Sequence, residues 1–265
     1  MPVTETVHDS GRLAGVAELV VESPPVNAYS IGDLAQLTEL LRSYERREEV
    51  RAVVLRAQGK GFCGGGDVKE VQSLPGFDGI LGQARGSQDT SVAIAECAVP
   101  VIGCIHGYCV GLGVLLAGTC DVLIGSRGTR FVLAEADNGA TTGAVQALGL
   151  LPERRLRSAM FTCEPFDIAE LHSYGSVYHV EATVEAALAR TYEVAATIAA
   201  KAPRVIRALK LTLNNTAGRD LRRLYRQELS YTFELNMLGD SSKARQTFLD
   251  GTRDSYMSDT SASSS

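Results

Sequence analysis

VIGCIHGYCVGLGVLLAGTCD, residues 101–121, decides how the rest of the chain is read. Val101 to Ile105 is a short, β-branched run suited to a buried strand. Gly107 marks a tight turn, and Gly111-Leu112-Gly113 opens an apolar helix. The first N–H groups of a helix have no partner within it, and the aligned peptide dipoles add partial positive charge at that end. A strand that turns through glycines into such a helix is therefore suited to hold developing negative charge.

A second glycine-rich turn, Gly59 to Glu70 (GKGFCGGGDVKE), follows the strand-like run Arg51 to Ala57 and also leads into a helical pattern. One N–H from each turn would make an oxyanion hole. Gly64-Gly65-Gly66 lacks the spacing and the Lys-Ser/Thr ending of a phosphate-binding Walker loop, and neither turn has the dinucleotide fingerprint. Taken singly, each turn is equally served by the plainer reading that its glycines only permit a tight strand-to-helix reversal.

Upstream, residues 1–12 are polar and are expected to be loose. Leu13 to Glu22 predicts a strand or hairpin arm, stopped by Ser23-Pro24-Pro25, because proline cannot donate to a sheet ladder. Ile31 to Glu48 has helical spacing, with Leu34, Leu37, Leu40 and Leu41 on one face. Strand, helix, strand in this order implies parallel pairing. Between the glycine turns, Leu74-Pro75-Gly76 breaks a helix and Phe77 to Ala98 forms another. Downstream, Asp121 to Ser126 and Arg130 to Leu133 read as short strands. The recurring unit predicts an α/β spiral of ββα turns rather than an open, doubly wound sheet.

From Leu150 the pattern is almost wholly helical, with one apolar interruption at Ser176 to Val180. Val184 to Ala200, Pro203 to Asn215 and Arg219 to Gly239 are amphipathic, and their apolar surface is expected to be buried on neighbouring subunits. The chain thus divides into a spiral core with the active site (12–200), a C-terminal helical trimerisation region (201–251) and a low-complexity tail (252–265) expected to be disordered.

The 265 residues are 45% hydrophobic, enough for a substantial core, and the net charge of −5 gives no electrostatic footprint for nucleic acid or anionic lipid. The N-terminal stretch lacks a basic-then-apolar signal pattern, and no apolar run approaches the ~20 residues of a membrane span. The six cysteines lack paired CxxC spacing and read as buried thiols of a reducing compartment, without a metal. A cytoplasmic protein is expected.

Pro25-Val26-Asn27-Ala28, RAVVLRAQGKGFCGGGDVKE, VPVIGCIHGYCVGLG, CDVLIGS and RFVLAEADNG, in this order and spacing, resemble the crotonase superfamily of enoyl-CoA hydratases and isomerases over roughly residues 12–250. The resemblance implies a CoA thioester as substrate, no separate cofactor, and a trimer or dimer of trimers. It places the two oxyanion donors at the N–H groups of Gly66 and Leu112, where relatives commonly have glycine in the second position. It assigns the CoA grip to Gly64, Gly66, Asp67 and Val68, with Lys69 near the phosphates and Phe233 near the adenine. For Asp67 a plain helix cap, and for Lys69 a solvated surface charge, are the alternatives.

Hydratases of this kind use two glutamates. The first maps to Leu115, which cannot transfer a proton; the second maps to Glu135. One carboxylate facing an oxyanion hole fits enoyl-CoA isomerisation or limited hydration, the leading expectation. ECAVPVI, GYCVGLG, IAAKAPRVIRALK and YTFELNMLG also resemble the actinobacterial branch that contains a ring-opening hydrolase acting on a cyclic β-keto-type CoA thioester. That C–C hydrolysis is the first alternative, and a non-catalytic binding subunit the second. Asp137 is a further acid/base candidate, sharing the face of Glu135 if that segment is extended. Cys109, with His106, is a candidate nucleophile. His172 and His179 read as structural or solvent-facing.

Overall fold

The computed structural model describes residues 3–216, 218 and 220–252. Strands β1 (Val3–Val7) and β2 (Val16–Val21) pair antiparallel. Beside β2, strands β4 (Ala52–Ala57), β6 (Val101–Ile105), β8 (Val122–Ser126) and β11 (His179–Glu181) add in parallel, in that order. Each crossover sets its strand on the same growing edge, which is the predicted spiral. The short strands β3 (Ala28–Tyr29) and β5 (Gly65–Gly66) form a parallel pair. In a separate three-stranded sheet, β9 (Arg130–Val132) lies between parallel β7 (Tyr108–Val110) and antiparallel β10 (Phe166–Asp167).

The helices between these strands are α1 (Ile31–Ser43), α2 (Val68–Ser73), α3 (Asp78–Ala95), α4 (Leu112–Thr119), α5 (Ala144–Ala147), α6 (Glu153–Thr162) and α7 (Ile168–Ser173). After β11 come α8 (Val184–Ala199), α9 (Pro203–Thr216), α10 (Leu221–Leu238) and α11 (Asp240–Leu249).

Alternation along β4 gives the main sheet two covered faces. Val53 and Leu55 join Leu34, Leu37 and Leu41 of α1 in the larger core, whereas Ala52 and Val54 point to the other face and meet α8. There the small residues Ala187, Ala195 and Ala199 let the helix approach closely. This corrects the expectation that every helix from Val184 onward packs on another subunit: α8 covers its own sheet. Apolar side chains on α9 and α10, among them Val205, Leu211, Leu213 and Met237, remain exposed.

Two other expectations are corrected. The N-terminal segment is an edge strand, whose register Val3↔Val21 to Val7↔Ala17 supplies backbone bonds that its polar sequence does not announce. The region after Leu150 also contains β10, besides β11 at the apolar interruption. Apart from Thr252, the tail 252–265 lies outside the described residues.

Candidate active site

Two close approaches bring the glycine turns together. A Cβ on Gly113 would lie 2.8 Å from Cys63 O, so only glycine lets the start of α4 seat against the first turn. Val110 N–H donates to Cys63 O at 2.9 Å, tying β7 to that turn. Gly111, the N-cap of α4, has φ 49°, in the region that favours glycine, and no side chain caps this helix end. Leu112 N–H is then a first-turn donor without an acceptor in its helix.

In the first turn, Asp67 N–H donates to Tyr29 O at 2.9 Å. Alternation along β5 turns the preceding Gly66 N–H away from β3, and both residues line the cavity. The Asp67 carboxylate accepts from Lys69 N–H at 2.9 Å and Glu70 N–H at 3.1 Å. It is thus the cap of α2, with its backbone on the cavity wall.

Glu135 stands where the chain leaves β9 and enters a 3₁₀ turn, Ala136–Asn138. Its carbonyl accepts from Asn138 N–H at 3.0 Å and Ala140 N–H at 2.8 Å, which fixes the backbone. The side chain is 7% exposed, and Oε2 has no protein hydrogen-bond partner. A Cβ on Gly111 would lie 3.3 Å from Oε1, so the carboxyl sits directly against the second glycine turn. Burial, only partly offset by its own backbone N–H and reinforced by Glu228, pushes its pKa up to about 8.

Gly66, Leu112 and Glu135 line one cavity of about 530 Å³. Leu115 is there too, 2% exposed, with its Cδ1 2.9 Å from where a Cβ on Gly143 would lie. The position to which the resemblance assigns the first hydratase glutamate is thus filled by hydrocarbon. Gln83 of α3 contributes a buried amide whose Nε2 and Oε1 have no protein partner and which packs against Gly66.

The other candidates separate. Gly64, Val68 and Lys69 line the cavity. Asp137 does not. The 3₁₀ turn after Glu135 abolishes the extended geometry that would have put the two on one face, and Asp137 interacts instead with Cys163. Cys109 is fully buried and outside the cavity lining, and burial together with Cys63 and Cys120 pushes its thiol well above the usual range. His106 bonds Gly59 O at 3.0 Å, so neither an activated thiolate nor its base is present. Phe233 packs half-buried against the core; the C-terminal aromatic on the cavity wall is Phe248.

Sequence reading missed the contribution of the last helices. Tyr225 of α10 lines the cavity, with its hydroxyl near Ser87 and Thr142. Glu228 accepts from Gly143 N–H and Val145 N–H, each at 2.9 Å, and so pins the loop beside Glu135. Arg245 of α11 also lines the wall. These residues lie 90 or more positions from Glu135 and belong to no motif. The cavity wall therefore extends past residue 200, beyond the predicted core boundary. No cluster of three or more His, Cys, Asp or Glu residues suited to a metal occurs among the described residues, and none of the described helices is long and apolar enough to cross a membrane.

A profile of the enoyl-CoA hydratase/isomerase family matches residues 11–257. A Mycobacterium tuberculosis protein named (7aS)-7a-methyl-1,5-dioxo-2,3,5,6,7,7a-hexahydro-1H-indene-carboxyl-CoA hydrolase is 38% identical over 252 residues, covering 94% of this chain and 99% of its own length. A protein of the same name from Rhodococcus jostii is 36% identical over 250 residues, covering 94% and 95%. The fold is also that of an enoyl-CoA hydratase/isomerase from Pseudoalteromonas atlantica. That structure superposes with a TM-score of 0.82 over 97% of this chain and 100% of the other, at 20% identity.

Proposed function

The chain belongs to the enoyl-CoA hydratase/isomerase family and is an enzyme of that family, and we propose that it opens a cyclic β-keto-type acyl-CoA by C–C hydrolysis. In this reading the thioester enolate is held by the N–H groups of Gly66 and Leu112, and Glu135 moves the proton. The observation that carries it is a single buried carboxyl lying against the second glycine turn, its pKa raised by burial, with Leu115 in the same cavity where a second acid would stand. The full-length similarity to two proteins named as CoA hydrolases favours hydrolysis over the isomerisation preferred from sequence.

One carboxyl serves both halves of the reaction. As carboxylate, Glu135 takes a proton from water while the hydroxide oxygen bonds to the ring ketone carbon. The adjacent C–C bond then breaks, giving a carboxylic acid and an electron pair on a carbon conjugated with the thioester. That pair is delocalised onto the thioester oxygen, where the two N–H groups stabilise it. Protonated Glu135 returns its proton to carbon and is regenerated, and the new acid ionises to solvent. Isomerisation remains the second reading, because one carboxyl moving one proton between carbons also suffices. A purely binding role leaves the costly burial of the Glu135 carboxyl without a purpose.

The backbone of Gly64, Gly66, Asp67 and Val68 would follow the pantetheine, with Lys69 toward the phosphates. No separate cofactor enters this scheme. The exposed apolar faces of α9 and α10 suit a trimer or dimer of trimers; a stable monomer in micromolar sedimentation would remove that assignment. A cytoplasmic location fits a core that carries its cysteines as thiols.

The test is turnover of a panel of CoA thioesters that includes cyclic β-keto acyl-CoAs, followed by mass spectrometry. Hydrolysis of the ring adds one water and leaves the thioester intact. Release of free CoA would refute the reading, and a shifted double bond without added water would replace it with the second.

A further inference from the structure

Arg245 is a cation in the cavity wall that neither the oxyanion hole nor the proton transfer uses. Its helix, α11, is laid on the turn that follows Glu135. The Ser241 hydroxyl donates to Gly139 O, and the Gly139 Cα packs directly on the Ser241 backbone. Arg245 stands one helical turn beyond Ser241, about 6 Å along the axis, and its side chain reaches the cavity together with Asn236 and Phe248.

The guanidinium is held in place without being neutralised. Its Nη2 donates to Asn236 Oδ1 at 2.9 Å, and Asn236 Nδ2 donates to Thr232 O at 2.7 Å, which fixes the amide with its oxygen toward the arginine. Nε is shielded from solvent and has no acceptor. Among the described residues no acidic side chain forms an ion pair with Arg245; burial alone acts on it and pushes its pKa down. Buried charges are ordinarily paired, and a guanidinium on a cavity wall pairs with a carboxylate through charge-assisted hydrogen bonds.

We propose that Arg245, oriented by Asn236, is an anion subsite of the acyl pocket that recognises a carboxylate on the acyl part of the CoA thioester. This deepens the hydrolytic reading and rests on it for the origin of that carboxylate, since opening a ring ketone with water creates one. The ketone is neutral, whereas its hydroxide adduct and the product acid are anionic. The attraction to Arg245 therefore grows along the reaction, the condition under which a binding contact also accelerates it. The enzyme would favour acyl-CoAs that carry, or acquire, a second negative group over plain fatty acyl chains.

A CoA phosphate offers the same anionic chemistry, so the experiment separates the two sources. Dissociation constants are measured at constant ionic strength for CoA, pentanoyl-CoA, succinyl-CoA, glutaryl-CoA and adipyl-CoA, with wild type and with Arg245→Met, Arg245→Gln and Arg245→Lys. At least one dicarboxylic thioester should bind about 10–100-fold tighter than pentanoyl-CoA, the range of a charge-assisted bond. Met and Gln should each abolish that preference while leaving CoA and pentanoyl-CoA within twofold of wild type, and Lys should keep part of it. Normal pentanoyl-CoA binding certifies the fold of each variant. The absence of any dicarboxylic preference, or its survival in Arg245→Met and Arg245→Gln, overturns the proposal. An equal loss for CoA itself reassigns Arg245 to a phosphate and overturns it too. Binding is read without turnover: a carboxylate preference without ring opening would sink the hydrolytic reading and leave the subsite standing.

Discussion

Replacing Glu135 with Gln should make the protein more stable while disabling it, and the gain should depend on pH. In the folded protein the carboxyl pKa is raised from 4.5 to about 8, chiefly by burial. Between those values the folded state holds a proton that the unfolded state has released. The stability tied to this proton is fully present below about pH 4.5 and is lost as pH rises through 8. A shift of about 3.5 pH units at ~1.4 kcal/mol each sets a ceiling near 5 kcal/mol. Glutamine keeps the shape and has no proton to lose. Urea unfolding of wild type and Glu135→Gln at fixed protein concentration should give nearly coincident midpoints at pH 5. The variant should then gain progressively up to pH 8, by about 1.4 kcal/mol per unit at most, with a constant difference above that. A pH-independent difference, or a wild type more stable than the variant at pH 8.5, would refute the claim that burial without a compensating positive charge raises the Glu135 pKa.

The same titration governs activity. Water activation needs the carboxylate, so kcat/KM should rise about tenfold per pH unit below 8 and level off above it, and the residual rate of Glu135→Gln should lack that inflection. Gly113→Ala should lower kcat/KM by about 10²–10³ with thioester binding largely kept, the scale of losing one oxyanion donor. The new methyl would meet Cys63 O at 2.8 Å and force the start of α4 away from the first turn. Steady-state kinetics with unchanged kcat/KM would show that the two turns need not touch. Hydration of crotonyl-CoA should be slow in the wild type, because Leu115 supplies no second carboxyl to hold the water over the β carbon of an open-chain enoyl thioester; rapid hydration would show that another residue does so.

The parts of the site that lie within one strand-turn-helix unit could be read directly from the sequence. Val101–Ile105 forms as predicted, and Gly66, Leu112 and Glu135 line one cavity: Gly66 closes β5, while Leu112 and Glu135 follow the paired strands β7 and β9. Asp137 and Cys109 failed for local reasons that composition does not carry: a 3₁₀ turn in one case and complete burial in the other. The packing of α8 had a signal, the small residues 187, 191, 195 and 199 at four-residue spacing, all buried against the sheet side. Amphipathic spacing alone does not tell a helix that covers its own sheet from one that meets another subunit; that stripe does. Arg245 and Tyr225 had no comparable signal. They reach the cavity only through the folding of α10 and α11 back over the site, a long-range event that periodicity cannot report.

The central claim is an enolate held between Gly66 and Leu112 and served by Glu135, and solvent deuterium exchange tests it most directly. Wild type should incorporate deuterium from D₂O at the α or γ carbon of a bound, non-cleavable acyl-CoA, and Glu135→Gln should do so about 10²–10⁴-fold more slowly while binding the thioester equally well. Exchange at the same rate in both proteins, or none in the wild type across CoA thioesters that demonstrably bind, would contradict the account.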